Sequence, residues 1–270
     1  MKINRRQFVR NLGLGTASLS MGSLISTSSC APSGDSRDKR GKVSDDDQFL
    51  FIGDDIAIAQ TEYGKVQGYL LNHVYTFLGV PYGADTSGKN RFMPPQKPEP
   101  WTDVRPAVFY GNTAPQRMEN RWPNNYGTFA DHWNYWDVSE DCLYLNVWTP
   151  GIADGKKRPV LVWLHGGGFT NGSGIEQDGY HGENISREGN IVFCSINHRL
   201  GPIGFSDLSG VGGEAYKDSG NVGMLDIIAA LRWVHDNIAN FGGDPGNVTV
   251  MGQSGGCLLY TSDAADDLIG

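Results

Sequence analysis

Basic side chains are in short supply. The 270 residues hold 22 Lys and Arg against 30 Asp and Glu, a formal charge of -8. Residues 1–29 contain Lys2, Arg5, Arg6 and Arg10 and no acid, so their removal carries the charge from -8 to -12. Phosphate binding needs a basic face, and this balance argues against nucleic acid as a partner. Cysteine is scarce as well. Cys30, Cys142, Cys194 and Cys257 are far apart and form no CxxC pair, so neither a zinc site nor a dithiol redox motif is supported. No apolar stretch approaches the roughly 20 residues that span a bilayer, and there is no internal repeat. What is abundant is glycine, at 37 residues, within a chain that is 39% hydrophobic and 11% aromatic. That composition fits a soluble globular protein and excludes collagen, a multi-span membrane protein and a wholly disordered chain. The length suits one large domain or two small ones.

The first 29 residues read as an export signal. Arg5 and Arg6 precede Phe8, and a weakly apolar run rich in Gly and Ser follows from Leu12 to Ile25. A charged start, a short apolar region and small residues before a cut make such a signal, and the paired arginines match the twin-arginine type. Cys30 follows Thr27-Ser28-Ser29, which resembles a lipoprotein cleavage site, although an aliphatic residue is expected where Thr27 stands. Two readings stay open, a lipid anchor at Cys30 and an ordinary cut that lies near a Cys. An exported chain, periplasmic or extracellular, is the expectation under either. Residues 30–48 are polar and nearly free of large apolar groups, as in a disordered linker.

From Phe49 the pattern changes. Ile56–Thr61 and Lys65–Leu71 read as a hairpin about Gly64, and the Pro-rich stretch from Phe92 to Trp101 as an extended loop. Leu143–Trp148 alternates as a strand does, and Val160–Leu164, Ile191–Ile196 and Asn247–Met251 are short apolar runs of the buried-strand kind. Between the last two, Leu225, Ile228, Leu231, Val234 and Ile238 recur at helical spacing and predict an amphipathic helix over residues 222–238 with those residues facing a sheet. Strands alternating with a helix predict an α/β protein with a central, mostly parallel sheet flanked by helices.

Two glycine motifs sit at the ends of these strands. Asn247–Met251 runs straight into Gly252-Gln253-Ser254-Gly255-Gly256, a G-x-S-x-G turn. In a strand-to-helix turn this tight, Gly252 and Gly256 remove side chains that would clash, and the Ser254 hydroxyl stands clear of the sheet. Val160–Leu164 runs into His165-Gly166-Gly167-Gly168-Phe169, where successive glycines let backbone N–H groups point into a pocket. Acyl transfer needs such donors, because its tetrahedral intermediate places negative charge on the former carbonyl oxygen. Either motif alone is also consistent with a plain glycine-rich turn. Together, each at the carboxyl end of a parallel strand, they favour a site.

Further segments extend the pattern in order: Phe77-Leu78-Gly79-Val80-Pro81-Tyr82, then Arg91-Phe92 with Pro94-Pro95 and Trp101, then Ser139 through Val147 (SEDCLYLNV). Asn197-His198-Arg199-Leu200-Gly201, Gly220 through Asp226, and Asn237 through Pro245 (NIANFGGDP) follow. Over residues 56–256 the chain resembles the type-B carboxylesterase and cholinesterase-like branch of the α/β-hydrolases. The resemblance implies an α/β-hydrolase fold, a small-molecule ester substrate and no metal or cofactor. It implies Ser254 as nucleophile, with Gly167, Gly168 and Gly255 as oxyanion-hole donors. The family commonly has Ala at the position of Gly255 and Glu at that of Gln253. It usually pairs the cysteine at 142 with one upstream, where Ala114 stands here, so Cys142 is expected to be unpaired. Asp226 takes a scaffold position on the helix, not that of the catalytic acid.

The expected partners of Ser254 follow it in the order acid, then His. Only 16 residues follow, and none is His; His73, His132, His165, His181, His198 and His235 all precede it. His165 borders the glycine loop, and His198 is expected to be a hydrogen-bonding scaffold residue. From Cys257 to Leu268 the sequence departs from the family pattern and looks like translated adapter sequence joined to a gene, with a divergent natural C-terminus as the alternative. The expectation is an export signal over 1–29, a linker over 30–48, the N-terminal part of a carboxylesterase domain over 49–256 and a non-family tail over 257–270. On this reading the fold is truncated after the nucleophile elbow, and the 270-residue chain is itself inactive. A non-catalytic cholinesterase-like binding module and an inactive fragment are the rival readings. Retention of Ser254 in a complete G-x-S-x-G favours the enzyme over the module.

Overall fold

A computed structural model describes residues 49–117 and 137–257. The export signal, Cys30, the linker, His132 and residues 258–270 lie outside the described residues. The expectation of an α/β-hydrolase fold is met by a seven-stranded sheet in the order β1-β4-β5-β7-β9-β8-β10, with helices packed on it, beside a small sheet β2-β3-β6. The large sheet comprises β1 (Leu50–Phe51), β4 (Tyr69–Leu71), β5 (Val74–Pro81), β7 (Tyr144–Thr149), β8 (Arg158–Leu164), β9 (Val192–Ile196) and β10 (Gly243–Gly252). The small sheet comprises β2 (Ile58–Gln60), β3 (Lys65–Gln67) and β6 (Arg105–Pro106).

The large sheet is mixed. Its β1, β4, β5, β7 and β9 pair antiparallel in sequence, whereas β9-β8-β10 is parallel. The parallel part is a pair of crossovers. Helix α1 (Glu183–Gly189) links β8 to β9. The short helix α2 (Gly201–Phe205) and then α3 (Val222–Asn237) link β9 to β10. Every residue of β9 is buried, as expected of a strand covered on both faces. The expected returning strand Lys65–Leu71 is instead two strands in different sheets. The break is at Gly68, where a Cβ would overlap the Thr76 carbonyl and come within 2.9 Å of the Phe77 ring. The chain therefore turns there, and only glycine fits the approach.

Helix α3 also corrects its expected face. The residues it buries are Val222, Gly223, Asp226, Ile227, Ala230, Trp233, Val234 and Asn237. Of the five residues expected to face the sheet, Val234 and Ile238 are buried, while Leu225, Ile228 and Leu231 are half-buried on the flank. The buried stripe contains two polar residues that a hydrophobic pattern passes over. Asp226 is fully buried and receives three hydrogen bonds from Arg199, from Nε at 2.8 Å, Nη2 at 2.6 Å and the backbone N at 3.0 Å. Burial pushes the Asp226 carboxyl above its ordinary value, and the Arg199 bonds oppose that shift. Arg199 Nη1 also donates to Met93 O at 2.8 Å, so this pair ties the Pro-rich loop to the helix. Asp226 is thus structural in this fold, with none of its side chain exposed. Asp226→Ala strands the buried guanidinium without its carboxylate and is expected to destabilise the protein by about 3–5 kcal/mol. Urea unfolding checks it, and a loss below about 1 kcal/mol, the scale of an exposed pair, would contradict it.

Candidate active site

The parallel pairing of β10 with β8 runs in register up to Gly252 beside Leu164. The two strands therefore end together, and the turn after β10 lies against the loop after β8. Three bonds fix the turn: Gln253 N to Leu164 O at 3.2 Å, Gly256 N to Gln253 O at 2.9 Å and Cys257 N to Ser254 O at 3.0 Å. Ser254 is exposed and has φ +52°, a left-handed conformation unusual for a residue with a side chain. The flanking glycines are required sterically. A Cβ on Gly252 would come within 2.9 Å of Leu164 O, and one on Gly256 within 2.7 Å of His165 O.

Gly167 (φ +106°) and Gly168 (φ +60°) both adopt conformations that side chains disfavour. Their turn is closed onto Gly167 O, which accepts from Thr170 N at 3.1 Å, Thr170 Oγ1 at 3.0 Å and Asn171 N at 3.3 Å. The backbone of Gly255 meets this loop closely, since a Cβ on Gly255 would sit 2.8 Å from Gly168 N. Among the described residues, no hydrogen bond takes up the N–H of Gly167, Gly168 or Gly255. The structure thus brings together all four residues singled out from the sequence, an exposed hydroxyl beside backbone donors on two abutting segments.

Two neighbours emerge only from the structure. Tyr180, whose ring lies 4.9 Å from that of Trp163, donates its hydroxyl to Gln253 Oε1 at 3.3 Å. Gln116 bonds to Gly172 at the far end of the glycine loop. Neither has a local sequence signal, because each partner lies more than 50 positions away.

His165 and His198 lie behind the loop. Both are buried, and their rings stack at 4.7 Å. His165 Nδ1 donates to Gly166 O at 2.8 Å, which fixes its tautomer. His198 was expected to hydrogen-bond, but among the described residues neither of its nitrogens has a partner. It is held by stacking, and burial together with neighbouring His165 depresses its pKa well below 6.5. Cys142 is buried and unpaired among the described residues, within the same core cluster as Ala114. Among them, too, no group of three or more His, Cys, Asp or Glu could hold a metal ion.

A strand ending in a left-handed, exposed serine beside a glycine loop of donors defines the α/β-hydrolase class. More narrowly, a model of the carboxylesterase family matches residues 55–268, and the chain belongs to that family. It is 45% identical over 199 residues to phenmedipham hydrolase of Pseudarthrobacter oxydans, covering 74% of this chain and 38% of that protein. It is 40% identical over 222 residues to acetylcholinesterase of Electrophorus electricus, covering 77% of this chain and 34% of that one. Among solved structures, an esterase from Clostridium hathewayi described as hydrolysing aliphatic aromatic polyesters superposes with TM-score 0.74 at 42% identity, over 80% of this chain and 41% of that one. The chain spans less than half the length of each of these relatives.

Proposed function

We propose that the protein is a serine carboxylic ester hydrolase working through an acyl-enzyme. The observation that carries this reading is the exposed Ser254 at φ +52° beside three uncommitted backbone N–H groups. The Ser254 oxygen attacks the ester carbonyl carbon and gives its proton to a histidine base. The oxyanion is held by the N–H groups of Gly167, Gly168 and Gly255. The carbonyl then reforms, and the alcohol leaves with the proton from the histidine. Water, deprotonated by the same base, attacks the acyl-enzyme and releases the acid. The chemistry needs no metal and no organic cofactor. The substrate is a small-molecule ester, and nucleic acid has no part in it.

The base is not among residues 255–270, and His165 and His198 are buried behind the loop. From the order nucleophile, acid, histidine usual in this fold, we propose that the acid and the histidine lie in the part of the family length that this chain does not span. The full-length gene product is expected to hydrolyse short-chain nitrophenyl esters, and the 270-residue polypeptide to remain at background. Activity in the polypeptide by itself would contradict the assignment of the base.

We further propose export by the twin-arginine route, on the strength of Arg5 and Arg6 ahead of a polar, glycine-rich apolar region. Any membrane association is through a lipid on Cys30. Changing both arginines to Lys is expected to leave the protein in the cytoplasm on cell fractionation. Undiminished export of the double variant would overturn the route.

A further inference from the structure

The glycine loop is gripped from outside itself. Gln116 Oε1 accepts from Gly172 N at 2.8 Å, and Gln116 Nε2 donates to Gly172 O at 2.9 Å. One side-chain amide thereby satisfies both backbone groups of one residue, as a neighbouring strand would. Gly172 has φ +110° and packs onto the start of the loop, for a Cβ there would lie 2.5 Å from His165 Nδ1 and overlap Gly166 O. Asn171, next to it, donates to Gly167 O. A shift at Gly172 therefore reaches Gly167 through a single residue.

The grip has a firm base. Thr113 N donates to Asp137 O at 2.8 Å, and Ser139 N donates to Thr113 O at 3.0 Å. Asn112 Nδ2 donates to Asp141 O at 3.0 Å, and Gln116 Nε2 also reaches Ala114 O at 3.1 Å. A second tie runs alongside, with Gly174 N donating to Asn197 Oδ1 at 2.8 Å and Asn197 Nδ2 to Asn112 O at 3.0 Å. Residues 112–116 and the loop are thus fastened at two points, two residues apart on the loop.

We propose that Gln116 is a positioning residue for the oxyanion hole, holding Gly172 so that the Gly167 and Gly168 donors are ordered before substrate arrives. The proposal rests on the ester-hydrolase reading above. A loop with glycines at 166, 167, 168 and 172 has large conformational freedom to lose. Donors stabilise developing charge best when they need no reorganisation during the reaction. Loosening them weakens transition-state binding more than substrate binding, so the effect falls on kcat.

The test uses the full-length gene product. Gln116→Ala is expected to lower kcat by about 10- to 100-fold with KM within about twofold, because a misplacement near 1 Å can have that effect. Rates are divided by the number of sites titrated with a fluorophosphonate, so unfolded protein does not count. Gln116→Glu supplies a signature that a purely structural role lacks. Its carboxylate only accepts, and its oxygen is repelled by Gly172 O. Its protonated form accepts from Gly172 N and donates to Gly172 O, remaking both bonds. The per-site rate of Gln116→Glu relative to wild type should therefore rise as pH falls from about 8 toward the carboxyl range near 4–5. A flat ratio, or a per-site kcat of Gln116→Ala within about twofold of wild type, overturns the proposal. Failure of the underlying reading looks different, since the wild-type protein would then show neither ester turnover nor labelling of Ser254. In that event amide hydrogen exchange over residues 166–173 still decides the grip. Faster exchange in Gln116→Ala supports it, and unchanged exchange refutes it.

Discussion

Replacing Ser254 with alanine in the full-length gene product is expected to abolish ester turnover, with a fall in kcat on the order of 10⁶-fold, the size seen when a nucleophile that works as part of a unit is removed. Fold and stability should hardly change. Ser254 is exposed, and its φ of +52° is set by the turn, so alanine inherits the same backbone and the same strain. The neighbouring bonds from Gln253 N, Gly256 N and Cys257 N are all backbone and survive the substitution. Steady-state kinetics beside a melting curve separates the two effects. Turnover that persists at more than about one part in 10³ would mean another nucleophile or a contaminant. A large drop in melting temperature would mean that the serine is there for structure.

The second large effect is expected at Gly167. Its φ of +106° is barely accessible to any residue with a Cβ, and valine is branched there as well. A Cβ at 167 would overlap Asn171 O and lie 2.6 Å from Asn171 Oδ1. The loop has to move, and its N–H donors move with it. Gly167→Val should lower kcat on the order of 10²- to 10³-fold, the usual consequence of losing an oxyanion donor. Gly168→Ala is the informative comparison. Nothing lies within 4 Å of a Cβ there, so only its φ of +60° is penalised, by about 1–2 kcal/mol. Equal losses at the two positions, measured as kcat on titrated sites, would contradict a steric origin for the larger effect.

The parts of this site that could be read in the sequence are those carried by short-range pattern. The apolar run of β9 stands out because every residue of it is buried, whereas β10, at the sheet edge, leaves Thr249 and Met251 exposed and so departs from the buried strand expected there. Gly167, Gly252 and Gly256 mark turns where a Cβ does not fit. The order of residues also shows that residues 255–270 hold no histidine. What escaped was set by contacts distant in sequence. The scaffold position of Asp226 follows from the family resemblance, but its partner Arg199 does not, and Asn237 on the same buried face looks like a surface residue until the backbone of Glu62 is brought to it. The split at Gly68 depends on Thr76 and Phe77 in the next strand. Gln116 gains its importance only when folding carries Gly172 to it across 56 positions. His198 invites a hydrogen-bonding role from its chemistry, but its position in the core gives it a stacking partner instead.

The chemical state of one oxygen, that of the Ser254 side chain, separates a serine hydrolase from a binding module. A fluorophosphonate traps a serine whose hydroxyl is activated by a base and whose phosphorus adduct is held by an oxyanion hole. The full-length gene product should incorporate one phosphonyl group per chain, and peptide mapping should place it on Ser254. Labelling at another residue would contradict the assignment of Ser254 as the nucleophile, and a folded full-length protein that does not react would place the protein among non-catalytic binding modules.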